Sequence, residues 1–173
     1  MRTPSKIVMV AMAALVGLPG CMSMGGMMSP KASAALSPRS GSTVTGNLSF
    51  VQQGDKVLIS GEISGLKPNA DHGFHIHEKG DCSAADATSA GGHFNPAGKA
   101  HARPGGGHAG DLTSIKADAG GVARVSLETS GVTVDSGPNG ILGRSAVVHR
   151  DPDDYTSQPA GNSGPRIACG VIG

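Results

Sequence analysis

The stretch that decides the fold runs from His72 to Asp111, HGFHIHEKGDCSAADATSAGGHFNPAGKAHARPGGGHAGD. It holds six of the chain's seven histidines, and the seventh, His149, stands alone downstream. The stretch opens with a short apolar, strand-like piece and then turns glycine-rich and poor in large apolar side chains. A loop of about thirty residues without a core of its own is uncommon, and it is either disordered or functional. Imidazoles offer a way to order it, because metal bonds replace the missing hydrophobic burial. The stretch therefore reads as a metal site, and the rest of the chain as its scaffold.

Composition limits that scaffold. The 173 residues include no tryptophan, one tyrosine and three phenylalanines, so the core must be built from valine, isoleucine, leucine and alanine. Twenty-eight glycines and eleven prolines argue for many turns and against long helices. The formal charge is +1, no basic run stands out, and aromatics for base stacking are scarce, so nucleic acid is not an expected partner.

At the N-terminus, Arg2 and Lys6 precede the apolar run Ile7 to Leu18, too short to span a bilayer and laid out like a secretory signal. It ends in Leu18-Pro19-Gly20-Cys21, similar to a bacterial lipoprotein signal in which Cys21 is lipidated. Residues 1–20 are thus expected to be a signal peptide, 21–40 a flexible tether and 41–173 the folded domain. The expected location is the periplasmic side of a bacterial cell envelope, with membrane contact only through the lipid on Cys21. The methionines of the tether form no regular spacing and suit a linker better than a copper site. With Cys21 lipidated, Cys82 and Cys169 remain, either bridged, as an oxidising compartment favours, or as separate buried thiols.

The domain reads as all-β. Thr43 to Gln52 and Lys56 to Leu66 alternate with period two around a hairpin signal at Gln53-Gly54-Asp55. Gly121 to Thr129, Gly131 to Asp135, Ser145 to Arg150 and Arg166 to Val171 follow as further strand candidates. About eight short strands without helical periodicity imply an antiparallel sandwich or barrel.

Within the histidine stretch, His75 and His77 are two apart in a strand and project to one face, while Phe74 and Ile76 point to the other. His72 falls on the Phe74/Ile76 side and is expected to be structural. His93, His101, His108 and Asp111 offer three imidazoles and a carboxylate, a closed tetrahedral zinc shell with no open position, or else a solvated loop holding metal loosely.

In order, GFHIHEKGDC, GGHFNP, HAGDL, VVHRDPDD and GNSGPRIACGVIG resemble the copper–zinc superoxide dismutase family, over Gly41 to Gly173. The resemblance implies an eight-stranded Greek-key β-barrel with a long metal-binding loop. It implies copper at His75, His77, His93 and His149, and zinc at His93, His101, His108 and Asp111, so that His93 bridges one copper and one zinc per chain. It implies a Cys82–Cys169 disulfide and catalytic roles for Arg166, which guides superoxide, and His93, which passes a proton. Asp153, or Asp154 with a one-residue slip, matches the carboxylate that joins a copper histidine to a zinc histidine. The implied activity is dismutation of superoxide to dioxygen and hydrogen peroxide by copper cycling between Cu(II) and Cu(I), protecting the envelope. The loop from Asp151 to Arg166 carries no lysine, which leaves Lys79, Lys99 and Arg150 as candidates for steering the anion. The strands leave both a monomer and a homodimer open. Two rival expectations are a non-catalytic envelope lipoprotein that binds copper and zinc on the same fold, and a zinc hydrolase. The hydrolase is disfavoured by the closed zinc set and the lack of an H-E-x-x-H pattern.

Overall fold

The computed structural model describes residues 29–173. The chain forms β1 (Lys31–Pro38), β2 (Thr45–Gln53), β3 (Lys56–Ser64), β4 (Asp71–His72), β5 (Phe74–His77), β6 (Ile115–Lys116), β7 (Ala123–Ser130), β8 (Ser145–His149) and β9 (Arg166–Val171). A single 3-10 turn, Thr88–Ala90, is the only helical element among the described residues. None of these residues forms a helix long and apolar enough to cross a membrane.

One antiparallel ladder runs in the order β5-β8-β9-β1-β2-β3-β7, and a second joins β4 to β6. β4 and β5 are one run broken only at Gly73. Its first part pairs with β6 and its second with β8. β6 turns into β7 through a tight loop in which Asp118 N–H donates to Val122 O. The wall therefore returns on itself as an eight-stranded antiparallel barrel, once β4 and β5 are counted together. Neighbours in sequence such as β3 and β4 are separated in the wall by β7 and β6, the crossover of a Greek key.

The hairpin expected at Gln53-Gly54-Asp55 joins β2 to β3, with Gln53 paired to Lys56. Inward-facing Leu48, Phe50, Val57, Ile59 and Ile63 meet Phe74, Ile76, Ala146 and Val148 from the opposite wall in one core. Phe50 and Phe74 are fully buried. Truncating either to alanine costs about 3–5 kcal/mol.

Two expectations are corrected. The segment 21–40, expected to be a tether, contains strand β1 at Lys31–Pro38, seated between β2 and β9. Its inward residues are Ala32, Ala34 and Leu36, and its outward ones include Lys31 and Ser33. That is period-two alternation written in small side chains, so the hydrophobic contrast that marks a strand is faint. The domain thus begins before residue 41. Gly131 to Asp135, expected to be a strand, joins no ladder. Val132 and Val134 are buried, but the segment pairs with its own continuation, Thr133 N–H donating to Asn139 O and Ile141 N–H to Thr133 O. The signal peptide, the Cys21 anchor and the rest of the tether up to residue 28 lie outside the described residues.

The walls that face away from the core position the site. Phe74 and Ile76 enter the barrel, so His75 and His77 point outward. In β8, Ala146 and Val148 enter, and Val147 joins Ala87, Ala90 and Cys169 in a small second cluster beneath the loop. The Cys82–Cys169 disulfide closes this cluster across 87 residues and ties the histidine stretch to β9.

Candidate metal centre

The glycine-rich stretch does not float over the barrel. It bonds to the free edge of β5 as a strand would, with Phe94 N–H donating to Ile76 O, Ile76 N–H to Gly110 O, and Glu78 N–H to Gly92 O. Gly110 is required by this approach, since a Cβ there would sit 2.2 Å from Ile76 O. This edge contact sets His93 beside His77 and Asp111 beside His75. His149 enters from β8 at a register shift between Val148 and His149 where it pairs with Arg166. Such bulges re-aim a side chain next to a site.

The six histidines at issue and Asp111 are all buried. They form two sets, His75, His77, His93 and His149, and His93, His101, His108 and Asp111, with one ligand atom per residue lying within 4.8 Å of all the others in its set. His93 belongs to both. Its Nδ1 lies 2.8 Å from Asp111 Oδ1 and 3.4 Å from His108 Nδ1, and its ring stacks on His75 at 3.9 Å between centroids. The opposite nitrogen, His93 Nε2, is buried without a hydrogen-bond partner, and so is His75 Nδ1, while His101 Nδ1 lies 3.0 Å from Asp111 Oδ2.

Each ring is aimed by its other nitrogen. His77 Nδ1 donates to Gly91 O at 3.0 Å and His149 Nδ1 to Gly164 O at 3.1 Å. Their Nε2 atoms are thereby turned inward, 3.4 Å apart. His75 Nε2 and His101 Nε2 reach the two oxygens of Asp153 at 2.7 and 2.9 Å. Asp153 is therefore the carboxylate placed between the sets, whereas Asp154 is exposed and accepts from Thr156 and Ser157 N–H in its own turn.

Burial pushes the His75 and His77 rings well below the ordinary imidazole range, and neighbouring rings add to this. Burial likewise lowers His149 to about 4. Burial opposes ionisation of Asp111, but the hydrogen bond from His93 and main-chain N–H groups hold its carboxyl at about 2. Burial also works against a charged His101, yet Asp153 and Asp111 raise it. His75, His77 and His149 thus present neutral imidazole lone pairs, and the second set presents imidazoles around a carboxylate.

The fit to metal ions follows from these atoms. Buried ring nitrogens without partners are costly unless something else satisfies them. Nitrogens bound to one tetrahedral zinc at ordinary bond lengths stand about 3.4 Å apart. That matches the 3.4 Å between His93 and His108 Nδ1. Four imidazoles suit copper, and three with a carboxylate suit zinc.

A cleft of about 440 Å³ opens onto the first set, walled by Glu78, Asn95, Pro159, Ala160 and Arg166 together with His77, His93 and His149. Arg166 donates to Ala87 O at 2.6 Å and Gly91 O at 2.7 Å, so the carbonyl that aims His77 also holds the guanidinium. Of the other candidate cations, Arg150 is paired with Asp151 at 2.9 Å. His72, expected to be structural, is buried and donates through Nδ1 to His149 O at 2.9 Å, supporting the main chain of a site residue.

Sequence reasoning missed the supporting groups. Tyr155 N–H donates to Asp153 Oδ1 at 2.7 Å, and Tyr155 Oη accepts from Ser114 N–H at 2.9 Å. Gln158 and the carbonyls of Ala87, Gly91 and Gly164 also belong here. Main-chain acceptors leave no trace in residue identity, and no motif pointed to Tyr155 or Gln158.

An all-β barrel carrying two adjacent buried donor sets that share one imidazole defines a metalloprotein with a paired metal centre. A family model described as copper/zinc superoxide dismutase matches residues 44–172. The chain belongs to the copper/zinc superoxide dismutase family. It is 46% identical over 135 residues to copper–zinc superoxide dismutase 2 of Aquifex aeolicus (strain VF5), covering 75% of this chain and 79% of that one. It is 47% identical over 133 residues to copper–zinc superoxide dismutase 1 of the same organism, covering 73% and 79%. Among solved structures, it is similar to the crystal structure of the clock protein EA4, with a TM-score of 0.76 and 42% identity over 88% of this chain and 99% of that one.

Proposed function

We propose that this protein is a copper–zinc superoxide dismutase that converts two superoxide anions and two protons to dioxygen and hydrogen peroxide. His75, His77, His93 and His149 hold copper, and His93, His101, His108 and Asp111 hold zinc. The observation that carries this is the His93 ring, common to two buried donor sets, whose Nε2 is buried without a protein partner, as is His75 Nδ1. When bound, copper supplies one-electron redox chemistry and zinc, with no accessible second oxidation state, supplies a fixed charge.

The chain's own residues do the rest. Arg166, anchored on two carbonyls at the cleft, attracts the small anion and holds it near the first set. His93 holds and releases a proton at Nε2, because its Nδ1 is committed to the Asp111 side. Asp153 keeps the His75 and His101 rings in the tautomers that turn their other nitrogens inward.

The protein acts in a bacterial cell envelope, on the periplasmic side, anchored by lipid on Cys21. The leader layout and the Cys82–Cys169 bridge, which suits an oxidising compartment, support this. Both donor sets come from one chain, so a homodimer would add no residue to them.

Metal analysis joined to a dismutation assay tests the proposal. One copper and one zinc per chain with dismutation is the expected result. Metal binding without dismutation would favour the storage lipoprotein, and zinc alone would exclude the redox centre.

A further inference from the structure

Loop 151–165 grips the second donor set with more than Asp153. The side-chain amide of Gln158 lies flat against the main chain of His101. Its Oε1 accepts from His101 N–H at 2.9 Å, and its Nε2 donates to His101 O at 2.8 Å. This is the pair of bonds a neighbouring strand would give, supplied to a residue that no strand contains. Three residues on, Gly161, with φ +64°, lies where the Asp153 carboxylate meets the His101 ring, and it leaves no room for a Cβ, which would collide with Asp153 Oδ1 and stand 2.7 Å from His101 Nε2. Between these two contacts lie Pro159 and Ala160, which form part of the wall of the cleft beside Arg166.

We propose that Gln158 is a positioning residue that fixes the His101 main chain and, through Pro159 and Ala160, makes the wall of the anion cleft depend on the second metal site. The proposal rests on the assignment of His101 to zinc. The amide group is chemically specific for the task. A glutamate of the same length accepts from His101 N–H but sets its second oxygen against His101 O. An alanine satisfies neither main-chain group. An asparagine is one methylene too short to span both.

The test uses the full chain loaded with copper and zinc, comparing the parent with Gln158→Ala, Gln158→Glu and, as a loop control, Thr156→Ala. Two quantities are read: the rate of zinc release to an excess of a colorimetric chelator, and the affinity of azide, a small-anion probe, from its absorption band with copper. Loss of both hydrogen bonds in Gln158→Ala, and loss of one with two acceptors set face to face in Gln158→Glu, are each expected to speed zinc release about tenfold. Azide affinity is expected to change severalfold in the same two variants, with neither quantity moved in Thr156→Ala. Zinc release at the parent rate in both Gln158 variants, or an equal change in Thr156→Ala, overturns the proposal. Faster zinc release with azide affinity unmoved overturns the link to the cleft. A parent that takes up no zinc removes the His101 assignment and the proposal together, whereas a parent that holds zinc as firmly as its Gln158 variants removes the proposal alone.

Discussion

Replacing Asp153 by asparagine should damage copper binding more than zinc binding, and the geometry says why. The buried carboxylate accepts three hydrogen bonds: from His75 Nε2 on Oδ2 at 2.7 Å, and from His101 Nε2 at 2.9 Å and Tyr155 N–H at 2.7 Å on Oδ1. An asparagine has one oxygen. The main-chain N–H of Tyr155 cannot turn away, so the oxygen takes the Oδ1 place and still serves His101. The amide NH₂ then faces His75 Nε2–H, donor against donor. One charge-assisted bond is lost and one buried donor is stranded, together about 3 kcal/mol. His75 can relieve the clash only by moving its proton to Nδ1, the nitrogen turned toward the other copper ligands, which blocks that lone pair. Either outcome weakens copper. The expected loss is about 10²-fold in copper affinity and tenfold or less in zinc affinity, the upper part of the range for carboxylates that orient metal-bound histidines. Competition titration against chelators of known affinity, with metal content measured at each point, gives both numbers. Copper affinity within twofold of the parent, or a larger loss of zinc than of copper, would refute the reasoning. Asp154→Asn, at an exposed carboxylate in its own turn, should change neither.

Arg166→Ala should slow dismutation about tenfold or more and flatten its dependence on ionic strength, while Arg166→Lys should restore salt dependence without the two-carbonyl fork. Stopped-flow rates over a salt series decide this, and an unchanged slope in the alanine variant would count against steering by Arg166. Removing the disulfide with Cys82→Ala and Cys169→Ala frees an 87-residue loop in the unfolded chain. The cost is about 4 kcal/mol, equivalent to a melting temperature lower by about 10 °C, and a midpoint within 3 °C of the parent would contradict it. The metal-free protein should lose stability in mild acid. The unfolded chain binds a proton at His149 near the ordinary 6.5, whereas the folded chain refuses it until about 4. The His149 contribution is therefore complete above 6.5 and falls by about 3 kcal/mol as pH drops through that window, with His75 and His77 acting in the same direction and the raised His101 opposing them. Denaturant midpoints that stay level from pH 7 to pH 4 would show that these rings are not held neutral.

How legible the centre was in the primary structure depended on how each residue contributes. His75 and His77 could be assigned to one face because strand periodicity is local. His93, His101, His108 and Asp111 stood out because imidazoles and a carboxylate on a glycine-rich loop have few other uses. β1 was hidden because Ala32, Ala34 and Leu36 bury little area and contrast weakly with Ser33 and Ala35. The segment Gly131 to Asp135 misled for the opposite reason. Val132 and Val134 alternate as a strand does, yet its hydrogen bonds go to residues 139–141.

Residue types and spacing alone determined that the chain is all-β, that His75 and His77 share a face, that His93, His101, His108 and Asp111 offer a candidate donor set, and that its cysteines could make a single bridge. These are properties of side-chain chemistry and of period-two alternation, which act over a few residues. The place of His149 and the sharing of His93 came instead from the family resemblance. Which nitrogen of each ring is free, which of two adjacent aspartates stands between His75 and His101, and which amide holds the His101 main chain were settled only when the barrel closed. Those features depend on carbonyls and amides brought together from positions far apart in the chain, such as Gly91 with Arg166 and His101 with Gln158. A main-chain group is the same in every residue, so its partner is a property of the fold.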